Sequence, residues 1–338
     1  MIPSSTSIPL KFSADSNTIP PSLKVKYQID GLIYKLLPAK VRTQRVLNFI
    51  QISNKIAVEW SVLQGRYKVM KIDGFCFVIT GAGNGIGEGT AILAADYGAK
   101  IVVSDTDDTN GKRVAHMICE RGGEAVYQHC DVSDEDQVAD LMAFANATYG
   151  GIDVLHNNAG IHESIISDQL SLEQMPTSVF NKVMAVNLTG AWLCAKYALP
   201  YLRASANASI INSASVSSIS GYQNCVAYGA SKGGVMQLTK MLAVDLAADN
   251  IRVNCYCPGS VHTQMVDNYL KAAEDPELML NSMTKTHLIP RMGTPKDVAE
   301  LVCFLASPQS QFVNGVAWLI DGGSLAWRGT SDQLGMET

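Results

Sequence analysis

Tyr228 and Lys232 stand four residues apart in a run of small and apolar residues, a spacing that puts both side chains on one face of a helix, one turn apart. A tyrosine titrates near ~10 and accepts a proton poorly at neutral pH, but a nearby ammonium favours its phenolate. Ser215, at the end of an apolar run, can hold a substrate oxygen by a hydrogen bond while Tyr228 exchanges the proton. Together the three could prepare a carbonyl or carbinol for hydride transfer. A second group supports that chemistry. Gly81, Gly83, Gly85 and Gly87 lie between an apolar run and an Ala-rich helical run, where missing side chains let backbone approach a pyrophosphate and a helix N-terminus offers free N–H groups. Asp105, 18 residues beyond Gly87, ends the next apolar run, where its carboxylate can accept from a ribose 2'-OH and repel a 2'-phosphate. Residues 101–110 contain no Arg or Lys and residue 84 is Asn, which favours NAD over NADP. Asp131 has two readings: a partner for the adenine amino group with Val132 beside the ring, or the cap of a helix beginning near Asp134.

Tyr-x-x-x-Lys recurs by chance, so its force comes from the elements around it. Apolar strands are expected at 75–80, 100–105, 125–128, 154–156, 209–212, 251–256 and 316–320. Helices are expected after the glycine turn as far as residue 98, near 111–121, at 135–149, continuously over 179–203 and 226–248, and at 297–306. Strands alternating with helices of this length imply right-handed crossovers and a parallel sheet covered on both faces. The expected fold is one α/β domain over 70–338, a doubly wound Rossmann-type sheet of about seven strands. The long interval 261–290 has a patchy helical pattern and is a candidate lid, with Met265, Tyr269, Leu270, Met279 and Met283 either lining a site or anchoring the segment.

The chain has 338 residues, 47% of them hydrophobic and 17% charged, enough to bury a full core. Its net charge of -5 hides a division: residues 1–69 carry ten Lys/Arg against three Asp/Glu, and residues 70–338 carry 16 against 28. An acidic body has no broad positive field for phosphate backbones, so nucleic acid is not an expected partner. No apolar run approaches the roughly 20 residues of a membrane span, and the opening lacks the pattern of a signal peptide. The eight cysteines have neither disulfide-scaffold density nor zinc-site spacing, and are read as buried thiols with no metal. A cytoplasmic protein is expected.

Over about residues 72–328 the chain resembles the short-chain dehydrogenase/reductase family in its ordinary-length form. The motifs are TGAGNGIG at 80–87, Asp131 and Val132, the Asn-Asn-Ala-Gly segment at 157–160, Asn187 in AVNLTG, Ser215 in INSASVSS, Tyr228 and Lys232 in YGASK, and Pro258 with Gly259. The resemblance implies a catalytic set of Asn187, Ser215, Tyr228 and Lys232. Tyr228 would act as acid or base, Ser215 would orient the oxygen, Lys232 would bind the nicotinamide ribose and lower the tyrosine pKa, and Asn187 would keep a water relay. Cofactor contacts are implied for Gly81, Asn84, Gly85, Ile86, Gly87, Asp105, Asp131, Val132, Asn158, Ala159, Gly160, Pro258, Gly259, Val261 and Thr263. Ser213, Ser217 and Ser218 are neighbouring alternatives to Ser215, which stands at the family's distance from Tyr228. The family implies a secondary alcohol or ketone substrate, with a 3-oxoacyl thioester as the runner-up and a non-catalytic nucleotide-binding protein as the reading from another class. It also implies a homo-oligomer paired through the long helices 179–203 and 226–248.

His162 and Glu163 have a reading at the substrate side, but loop residues of these types ordinarily face solvent, and His262 has a reading at the cofactor side, with a local hydrogen bond as the alternative. The basic extension 1–69 is not required by the family's fold and is expected to be poorly ordered or partly helical. In it Val46, Phe49, Ile50, Ile56 and Trp60 share one helical face near Arg42, Arg45 and Lys55, consistent with a surface-attaching or partner-binding helix. An organellar presequence and a natural start at Met70 are the other readings.

Overall fold

The computed structural model of the chain describes residues 70–273, 275–327 and 329–335. The extension and its helical face lie outside the described residues. Seven strands form one sheet: β1 Cys76–Thr80, β2 Lys100–Asp105, β3 Glu124–His129, β4 Val154–Asn157, β5 Ser209–Ser213, β6 Arg252–Pro258 and β7 Ala317–Ile320. All neighbours are parallel, in the order β3-β2-β1-β4-β5-β6-β7. The helices are α1 Gly85–Asp96, α2 Asp108–Glu120, α3 Glu135–Tyr149, α4 Thr177–Met184, α5 Gly190–Leu202, α6 Val226–Asp245, α7 Gln264–Ala272, α8 Pro276–Lys285 and α9 Pro295–Ala306.

The strands are apolar at nearly every position because both faces are covered, and successive side chains go to opposite sides. Phe77, Ile79, Ile101 and Val103 pack with Ala91 and Ala94 of α1, Val114 and Ile118 of α2 and Val298 and Val302 of α9. Val78, Val102 and Leu155 go the other way, against Val138, Leu141 and Met142 of α3 and Leu193, Ala198 and Leu202 of α5. Asp107 and Asp134 cap α2 and α3 by accepting first-turn N–H groups, caps worth about 1 kcal/mol each.

Three expectations change. The helix expected over 179–203 is α4 and α5 joined by a π-helical turn, Ala185–Thr189. The interval 261–290 contains two helices, α7 and α8. The cysteines are not all buried: Cys119 is exposed and Cys225 half-buried. Among the described residues no helix is long and apolar enough to cross a membrane.

Candidate active site

The strand order reverses between β1 and β4, and in doubly wound sheets ligands enter at the carboxyl ends of the strands beside that reversal. A groove of about 420 Å³ is lined there by Gly81, Asn84, Gly85, Ile86, Asp105, Asp131 and Val132 on one side. Asn158, Ala159, Gly160, Tyr228, Lys232, Pro258 and Thr263 line the other. A larger hollow of about 950 Å³ lies outside the glycine turn, but contains neither Tyr228 nor Lys232. The smaller groove is therefore the candidate site.

Gly81 and Gly85 adopt φ of 62° and 56°, the left-handed region that side chains disfavour. Asn84, the N-cap of α1, makes no side-chain cap bond, so its side chain does not take up the first-turn N–H groups of the helix. This open helix start and bare turn are suited to a pyrophosphate. Gly87 lies behind the turn: a Cβ there would collide with the Gly81 carbonyl and stand 2.6 Å from the Asn158 amide. Asn158 Nδ2 donates to the carbonyls of Thr80 and Gly81 at 3.0 and 2.9 Å. Thr80 Oγ1 accepts the N–H groups of Asn158 and Ala159, both at 3.1 Å. The glycine turn and the segment after β4 are thus one knitted unit.

Asp105 closes β2 with both oxygens fixed, accepting from Gly83 N–H at 2.8 Å and Asp107 N–H at 3.0 Å. Two cations reach this rim from outside the window that sequence reading covers. Arg113 donates to the Gly83 carbonyl at 3.0 Å and is engaged bidentately by Glu88. Lys182 lines the groove, 3.1 Å from Asp131. Asp131 is not the cap of α3, a place that Asp134 takes. It accepts instead from Ser133 N–H and Oγ and from Lys182, and desolvation opposed by these bonds leaves its carboxyl below the usual value.

Tyr228 is half-buried and lines the groove. Burial pushes the phenol up to about 12, with Ser215 pulling it the other way. Lys232 is buried, donates to the Ser213 carbonyl at 2.7 Å and places Nζ 5.6 Å from the Tyr228 ring centre. Burial lowers its ammonium to about 8. Ser215 starts the short turn Val216–Ser218, its Oγ accepting from Ser217 N–H at 3.1 Å.

Asn187 sits in the π-helical turn, and the bulge turns its side chain inward. Its Oδ1 accepts Ile161 N–H at 2.8 Å, and its Nδ2 donates to the Ile161 carbonyl and Ser231 Oγ at 2.9 and 3.0 Å. Asn187 and Lys232 converge on Gly160, where a Cβ would stand 3.4 and 3.2 Å from their polar atoms. Asn187, Ser215, Gly87, Gly259 and Val261 do not line the groove; Gly259 packs on His287 and Asp321, and Val261 is core.

His162 and Glu163, expected to face solvent, are buried at 3% and 0% exposure. His262 is exposed, with its Nε2 3.4 Å from Asp267 Oδ1. Sequence reasoning missed Thr106, Ile165, Lys182, Ala214, Gln264 and Asn268 in the groove. Thr106, Ala214 and Gln264 adjoin Asp105, Ser215 and Thr263, whereas Ile165, Lys182 and Asn268 carry no local signal and reach the groove only across separate crossovers.

A family model described as enoyl-(acyl carrier protein) reductase matches residues 81–324. The cis-4-hydroxycyclohexanecarboxylate dehydrogenase of Sinomonas cyclohexanicum is 38% identical over 249 residues, covering 74% of this chain and 96% of that protein. The cyclohexanol dehydrogenase of Acinetobacter sp. strain SE19 is 34% identical over 245 residues, covering 72% and 92%. Among solved structures, levodione reductase is similar with a TM-score of 0.72 and 32% identity, over 76% of this chain and 100% of that one.

Proposed function

The chain belongs to the short-chain dehydrogenase/reductase family and is an oxidoreductase; from that premise we propose that it interconverts a secondary alcohol and a ketone on a small metabolite, with NAD as cofactor and Tyr228 carrying the proton. The observation that supports this most is a juxtaposition: Tyr228 and Lys232 open on the same groove as the glycine turn and Asp105. The family's nicotinamide cofactor supplies hydride exchange at the carbinol carbon when bound. Gly81, Gly85 and the start of α1 would hold its pyrophosphate, Asp105 a ribose, Asp131 and Val132 the adenine, and Lys232 the second ribose.

Ser215 does not itself line the groove, but its hydroxyl bonds to the Tyr228 phenol; from there it would hold the substrate oxygen while Tyr228 takes its proton in oxidation or returns it in reduction. Burial favours the protonated phenol, the form that returns a proton in reduction. Oxidation requires its phenolate, which the Lys232 ammonium favours. Asn187 keeps the loop after Gly160 in place behind Lys232 through its paired bonds to Ile161. Ile161, Ile165 and Met265 give the groove apolar walls, which suits a compact aliphatic or alicyclic substrate like those named for the relatives.

The test is a panel of cyclohexanol, cis-4-hydroxycyclohexanecarboxylate, other secondary alcohols, their ketones and a 3-oxoacyl thioester, read by NADH or NADPH absorbance. NAD-linked turnover of an alcohol or ketone is expected, and Tyr228→Phe should lose about 10²-fold or more while still binding NAD. Wild-type turnover by that variant would remove Tyr228 from the role. NAD binding without turnover of any panel member would favour the non-catalytic reading, and turnover of the thioester alone would favour the runner-up.

A further inference from the structure

Glu163 is wholly buried and does not line the groove. Its Oε1 accepts Ala227 N–H at 3.0 Å and its Oε2 accepts Tyr228 N–H at 3.0 Å. These donors belong to the first turn of α6, whose backbone N–H groups have no partner within the helix. Cys225, at the N-cap of α6, makes no side-chain cap bond. A carboxylate more than 60 residues away thus does the capping, in the place where the helix dipole favours a negative charge. Both oxygens are used, so the buried acid and the backbone of Tyr228 fix each other in position.

The neighbouring side chain acts on the same tyrosine. The His162 ring lies 4.9 Å from the Tyr228 ring, centre to centre, and the same distance from Tyr269 of α7. His162 Nε2 stands 3.0 Å from Cys225 Sγ. A local cap at residue 225 would end the helix equally well, but would not tie it to the loop that follows Gly160. Glu163 makes that tie at the backbone of Tyr228.

We propose that Glu163 is a positioning residue for the reaction: by holding the N–H of Tyr228 to the loop after Gly160, it sets the phenol against the substrate oxygen without touching substrate or cofactor. This rests on the reading of Tyr228 as the proton carrier.

The test uses the full chain, NAD and the panel alcohol that the wild type oxidises fastest. Glu163→Ala is expected to lower kcat about tenfold or more, since misplacement by about 1 Å can cost up to about 10²-fold. Its KM for NAD should stay within about twofold, the mark of an interaction that acts on the chemical step. A cap with only a structural role would lower the melting temperature and leave the kcat of folded enzyme unchanged, and that result overturns the proposal. If Glu163→Ala does not fold, Glu163→Gln decides. Its amide has one acceptor for two N–H donors, so a reduced kcat with KM for NAD retained supports the proposal, and a wild-type kcat overturns it. Tyr228→Phe runs alongside. If it turns over normally, the functional reading fails and takes this inference with it; if it is inactive while the Glu163 variants match the wild type, only this inference fails.

Discussion

Asp105 meets the groove as a fixed acceptor, because Gly83 and Asp107 hold both its oxygens by backbone N–H groups. A fixed charge discriminates well: it needs no rearrangement to accept from a ribose hydroxyl or to repel a phosphate there. Asp105→Ala should therefore lower the ratio of kcat/KM for NAD to that for NADP by about tenfold, roughly 1.4 kcal/mol. Arg113 is held by Glu88 and the Gly83 carbonyl, so the expected change comes from removing the carboxylate. An unchanged ratio in the same NADH and NADPH assays would take cofactor choice away from Asp105. Tyr228, Lys232, Ser215 and Asp105 were legible because their signals are local: a helical interval, a strand end, a distance from the glycines. Glu163 was not legible, because the N–H groups it caps are 64 and 65 residues away.

At the scale of elements, the glycine turn and the segment after β4 form a single rigid part through Thr80 and Asn158. Gly87 of α1 packs directly against that part. Gly87→Ala would drive a Cβ into the Gly81 carbonyl and the Asn158 amide. Overpacking of this kind costs about 1–3 kcal/mol. The strain falls on the turn, so NAD binding measured by calorimetry should weaken about tenfold or more; unchanged affinity would show that the turn yields without consequence. The interruption between α4 and α5 shows the limit of periodicity. An apolar pattern over 179–203 reports a helix facing a core, but the single extra residue of a π-helical turn is demanded by Asn187 reaching Ile161 and Ser231, a need that arises only when three elements meet.

For the whole molecule, stability should fall with acid. His156 is fully buried between sheet and helices, bonded to the Tyr256 hydroxyl at 2.9 Å, and burial lowers its pKa to about 3. The unfolded chain binds that proton near ~6.5 and the folded one does not, so stability rises with pH and is lost as pH falls from there toward about 3. For His156 alone the loss at pH 5 relative to pH 7 is about 2 kcal/mol, and burial lowers His162 and His287 in the same direction. Denaturant melts at pH 7 and 5 should show this slope, and His156→Gln should flatten it; an equal slope would assign the acid sensitivity elsewhere. The relatives match 72–76% of the chain over nearly their whole lengths. Trp192 on α5 and Met241 and Val244 on α6 are exposed apolar side chains on the two helices through which the family resemblance implies pairing. The sequence by itself determined the alternation of strands and helices, the glycine turn, Asp105 and the Tyr228–Lys232 pair, because hydrophobic period, turn chemistry and helical spacing act over a few residues. Tertiary structure alone decided that Glu163 holds the helix of Tyr228, that Arg113 reaches the glycine turn and Lys182 the groove, and that Asn187 needs a bulge. Each of these is a contact between elements far apart in the chain, and such contacts exist only after the crossovers have folded onto one sheet.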